Sequence, residues 1–107
     1  SGEVRVAIAD RGIGIAASLR HRYPEIRTAK QALEKVIGGG VSARSRPSNM
    51  GCGISNLCNV IVNVLRGELF IISGEGMADG APGHAIRSRD FTAGFPGTGV
   101  FFTIPVT

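Results

Sequence analysis

Val4-Arg5-Val6-Ala7-Ile8-Ala9-Asp10-Arg11-Gly12-Ile13-Gly14 decides how this chain is read. Val4, Val6 and Ile8 alternate with Arg5 and Ala7, the period-two pattern of a strand with one face turned to a core, ending at Asp10. Gly12 and Gly14 then give the backbone freedom to leave a sheet sharply. A second glycine signature, Asn49-Met50-Gly51-Cys52-Gly53, stands before an apolar-periodic segment. Together the two signatures predict a nucleotide pocket assembled from separate glycine-bearing segments.

Outward from these, Ile13 to Tyr23 reads as a loop or short helix that stops before Pro24. Ala29, Ala32, Leu33, Val36 and Ile37 have helical spacing, with Thr28 as a cap and Gly38-Gly39-Gly40 as the stop. Residues 38–53 hold five glycines, three serines and Pro47, and are expected to form a mobile functional loop. Ile54, Leu57, Ile61 and Leu65 make the apolar stripe of a helix over 54–65, with Asn56, Asn59, Asn63 and Arg66 turned away from it. Gly67 ends that helix. Leu69 to Ile72 then reads as a strand turned by Gly74, Ala85 to Phe91 as a further strand, and Gly99 to Val106 as the last, with Pro105 near its end. Strands at both ends with helices between them predict an α+β two-layer sandwich, a mixed, largely antiparallel sheet with helices on one face. Residues 4–10, 68–73 and 99–106 are expected to share the sheet, and helix 54–65 to pack on it.

The 107 residues are expected to form a single domain, with 43% hydrophobic and 19% charged residues. Twelve Lys and Arg against eight Asp and Glu give a net charge of +4, which suits an anionic ligand. Nucleic acid is not the expected partner: there is no long basic run, one Tyr, no Trp, and the five Phe do not interleave with the arginines. Ile54 to Leu65 is too short to cross a bilayer, so direct membrane insertion is not expected either. Cys52 and Cys58 do not have zinc-site spacing and are expected to be reduced cysteines of a cytoplasmic domain. Cys58 is expected to pack in the core.

The ordered signatures resemble the ATP-binding domain shared by sensor histidine kinases, DNA gyrase B and MutL, the Bergerat or GHKL fold. Asp10-Arg11-Gly12-Ile13-Gly14 is similar to that family's first glycine box, and Gly51-Cys52-Gly53-Ile54 to the second. Gly67-Glu68-Leu69-Phe70-Ile71-Ile72-Ser73 resembles the strand after the helix, and Pro96-Gly97-Thr98 with Phe101 to Pro105 the last box. The match covers most of residues 4–106 and lies closest to the histidine-kinase-like branch.

The resemblance implies an ATP pocket with Mg2+. Asp10 would accept a hydrogen bond from the adenine exocyclic amine, beside Gly12, Ile13 and Gly14. Thr98 would support the base edge directly or through water. Gly51, Gly53 and the first N–H groups of the helix from Ile54 would face the phosphates, with Arg44 and Arg46 adding charge from a nucleotide lid at 38–53. The rival for Asp10 is a plain turn cap, and for Arg44 and Arg46 a solvated loop charge.

Family members also carry an upstream helix whose Asn binds magnesium. None precedes Val4, so the fold is expected to be a truncated Bergerat fold, the Mg2+ ligand to lie upstream, and the sheet edge near residues 4–10 to be exposed or paired with another molecule. The expected whole is a signalling protein, the cytosolic part of a larger sensor, that transfers a phosphoryl group from ATP to a protein phosphoacceptor. Neither His21 nor His84 matches the acceptor, and this piece alone is expected to be inactive. The alternative is a non-catalytic regulatory protein-interaction module with a degenerate nucleotide pocket.

Overall fold

The computed structural model describes residues 2–20, 23–37, 54 and 56–106. The loop expected over 38–53 lies outside them. The described residues form a small α+β domain in which helices pack against a three-stranded antiparallel sheet of order β1-β3-β2, with β1 Gly2–Asp10, β2 Glu68–Gly80 and β3 Arg87–Val106. Among them no helix is long and apolar enough to cross a membrane.

Register sets the faces. Val4 lies opposite Ile104, Val6 opposite Phe102, Ile8 opposite Val100 and Asp10 opposite Thr98; in β2, Leu69, Ile71 and Ser73 continue the last three rows. Residues in one row share a side of the sheet, so β1's apolar stripe lies on the side where Leu69 and Ile71 join the core. Phe70 and Phe101 occupy the other side, their ring centroids 6.0 Å apart.

The core forms where helices meet β2. Helix α1, Ile15–Arg20, contributes Ile15, and α2, Ala29–Ile37, contributes Ala32, Leu33 and Val36. The start of α2 is a reciprocal cap: Thr28 Oγ1 accepts the Gln31 N–H at 3.1 Å, and Gln31 Oε1 accepts the N–H groups of Thr28 and Arg27. The third helix, α3, Asn59–Val64, departs from expectation: it is a π-helix, closed by the Leu65 N–H on Val60 O. Of the predicted stripe, Ile54 and Ile61 are buried and Leu57 packs against the core, joined by Cys58 and Val62, whereas Leu65 is 40% exposed. Gly67 then admits the chain to β2, since a Cβ there would strike the Thr103 carbonyl oxygen.

Two strand boundaries also differ. Gly74, at φ 56, is a bulge rather than an end, and β2 runs on to Gly80. The two strands expected at 85–91 and 99–106 are one, β3, which carries the surplus residues: β2 advances from Ser73 to Gly76 while its partners retreat from Thr98 to Asp90.

Candidate functional site

Asp10, Thr98 and Ser73 form one row across all three strands. The Ser73 and Thr98 hydroxyl oxygens are 3.0 Å apart and both residues are buried. Ser73 Oγ also accepts the Ile15 N–H at 2.9 Å, which anchors the start of α1 to the sheet. A hydroxyl has one proton to give. With Ser73 donating to Thr98 Oγ1, both buried oxygens are satisfied and the Thr98 O–H remains to donate toward Asp10 or a ligand.

Asp10 serves its own turn first. The Gly12 N–H donates to Asp10 Oδ1 at 2.8 Å, an Asx turn that fixes the carboxylate at the strand end. Among the described residues no hydrogen bond or ion pair engages Oδ2, and the side chain is exposed. The turn-forming and ligand-accepting readings of Asp10 are therefore compatible, one oxygen for each.

Glycines let the segments close on this row. Gly97, at φ 96, lies so near β1 that a Cβ would collide with the Asp10 carbonyl oxygen. Gly14, at φ 90, faces Ser73 Oγ, and a Cβ on Gly12 would sit 3.2 Å from Asp10 Oδ1, pressing on the carboxylate. Asp10, Gly12, Gly14 and Thr98 thus lie close together at the end of β1. Ile13 is exposed beside them, with an apolar side chain turned to solvent. Ile54 is placed differently: its side chain belongs to the core, which leaves its backbone alone to meet a ligand. Arg44, Arg46, Gly51 and Gly53 lie outside the described residues.

Ser73 and Gly97 were absent from the expected site residues. Ser73 closes the run Leu69 to Ile72 in the same alternation as Leu69 and Ile71, so a hydroxyl at a core-facing position was the available signal. Gly97 is marked only by its place before Thr98.

Other chemistry is sparse. Burial pushes the Cys58 thiol up from 9.0 to about 11, against the opposing effect of a backbone hydrogen bond, so it is a neutral packing group rather than a nucleophile. Among the described residues no three of His, Cys, Asp and Glu gather as a metal-ligand set. A cavity of about 970 Å³ borders Val6, Leu69, Phe102, Asp79, His84 and Arg87, and shares no residue with the Asp10 row.

No protein-family model matches this chain, and no curated protein matches it.

Proposed function

We propose that this chain is an adenine-nucleotide-binding module of the Bergerat type, the ATP-binding part of a histidine-kinase-like signalling protein. The observation that carries the reading is the row Asp10–Thr98–Ser73, in which Asp10 Oδ2, engaged by no described group, shares the strand end with a Thr98 hydroxyl that is free to donate when Ser73 gives its own proton to it. Adenine presents a donor, the exocyclic amine, next to an acceptor, the adjacent ring nitrogen. Asp10 Oδ2 takes the first and Thr98 Oγ1 gives to the second, directly or through water. Guanine reverses both and would set its carbonyl oxygen against the carboxylate. Ile13 offers an apolar surface to the base. No described cluster fits the Mg2+ expected with the phosphates, so the reading rests on the base end of the site. Phosphoryl transfer to a protein residue is the reaction proposed for the whole protein.

Titration with ATP and GTP, followed by amide chemical shifts and calorimetry, tests the reading. ATP should perturb Asp10, Ile13 and Thr98, and Asp10→Asn should weaken binding by roughly 1.5–3 kcal/mol through loss of a charge-assisted hydrogen bond. No perturbation at millimolar ATP, or equal binding of GTP, overturns it. The exposure of Val4 and Ile8 among the described residues favours the second reading, a protein-interaction module with a degenerate pocket, which would bind neither nucleotide.

A further inference from the structure

The far end of the β2–β3 ribbon returns to the sheet. Glu68 and Asp79 stand near opposite ends of β2 and would be ~36 Å apart were the strand straight. Both nevertheless border the cavity of about 970 Å³. The ribbon bends between them, at the register break from Ser73 to Gly76, where Gly74 takes φ 56.

The cavity lies on the side of the sheet away from the helices. Both rows that share the Phe70 side along this stretch, Ala7–Phe101–Phe70 and Arg5–Thr103–Glu68, line it, and no residue of α1, α2 or α3 does. A strand added beyond β1 would widen the sheet, and a further helix beside the others would lie on the opposite side; neither would fill it. The floor is aromatic, with the Phe70 and Phe101 ring centroids 6.0 Å apart, and suits a third ring laid offset or edge-on.

The walls carry unspent charges of opposite sign. On the hairpin side, Asp79 Oδ2 is 3.1 Å from Arg89 Nη2 and Asp79 Oδ1 is 3.9 Å from Arg87 Nε. One carboxylate cannot neutralise two guanidinium groups, and Arg87, the more loosely held, is the one that borders the cavity. On the sheet side, Arg5 is already held by Glu3, whereas the Glu68 carboxylate has no hydrogen bond or ion pair among the described residues. A ligand of single charge would answer one wall and leave the other unmatched. The volume, at the upper end for small-ligand sites, is more than one amino acid fills.

We propose that this cavity binds a short peptide with an aromatic side chain, its ring over Phe70 and Phe101, its ammonium at Glu68 and its carboxylate at Arg87. The site shares no residue with the Asp10 row and is independent of nucleotide binding.

Amide-shift titration near neutral pH, with phenylalanyl-alanine, its N-acetyl and C-amide forms, alanyl-alanine and free phenylalanine, tests this. The dipeptide should perturb Glu68, Phe70, Arg87 and Phe101 at millimolar concentration, and removing either terminal charge should weaken it about fivefold. Glu68→Gln should erase the penalty of N-acetylation alone, and Arg87→Gln that of amidation alone, with Arg89 still holding Asp79. No shift at these residues overturns the proposal, as does alanyl-alanine or either capped form binding as tightly as the dipeptide. Capping penalties that survive both variants overturn the placement of the charges, and equal affinity for free phenylalanine overturns the peptide.

Discussion

Leu69 and Ile71 in β2 share rows with Val6 and Ile8 in β1, on the same side of the same sheet, yet Ile71 is 0% exposed and Ile8 58%. The difference lies in what lies over them. The helical residues Ile15, Leu33, Val36, Ile61 and Val62 pack with β2, whereas the sheet beyond β3 has no such layer among the described residues. Alternation in a strand reports which side its apolar residues take, not whether anything covers that side.

The largest expected effect separates the two flanks directly. Ile71→Ala removes packing from a filled core and should cost about 2–5 kcal/mol, while Ile8→Ala, losing surface that is mostly wet, should cost no more than about 1 kcal/mol. Urea unfolding of the two variants at low protein concentration measures both. Equal losses would break the contrast by showing β1 as well buried as β2.

A second effect, read against pH, belongs to the covered flank alone. The Cys58 thiol titrates near 9.0 when unfolded and about 11 when folded. The folded state therefore keeps its proton longer, and this contribution is complete below 9.0 and declines as pH rises to about 11. By linkage it amounts to at most about 2–3 kcal/mol. Cys58→Ala should flatten the stability profile across that window relative to the parent chain. An unchanged slope would mean that the thiol ionises as freely in the fold as out of it.

Ser73 sharpens the comparison at the row where both flanks meet the candidate site. Ser73→Ala leaves the buried Ile15 N–H without its acceptor and should cost about 1–3 kcal/mol. Thr98→Val leaves that N–H bonded and takes a partner only from the buried Ser73 hydroxyl, so it should cost less, about 1–2 kcal/mol. Thermal unfolding orders the two, and the reverse order would remove Ser73 as the post that ties α1 to the sheet.

How much of this was legible follows from which signals are periodic. The strand at 4–10 and the capped helix at 29–37 repeat their apolar residues at the spacing of their structures, and the sheet grouping followed from where the strands fell. The π-helical turn was hidden, because Ile54, Leu57, Cys58, Ile61 and Val62 all fit one face of a regular 3.6-residue helix and only Leu65, 40% exposed, falls off it. Gly74 read as the turn that ends a strand but sits at positive φ inside a long bulged one, as Gly94 and Gly97 do in β3. In the site, the ordered glycine signatures brought Asp10, Gly12, Gly14 and Thr98 into view. Ser73 was passed over because one hydroxyl has no period, and the open edge of β1 could be anticipated only from the resemblance.

The smallest expected effect lies on the exposed flank. The Glu3–Arg5 pair is exposed and within one strand, so Arg5→Ala should change stability by no more than about 0.5 kcal/mol. Ile8→Thr should be similarly mild, since Ile8 is 58% exposed and exchanges one methyl-bearing surface for another. Chemical denaturation of both variants reads this out. A loss for Ile8→Thr as large as that for Ile71→Ala would make β1 as deeply buried as β2 and remove the contrast between the two flanks.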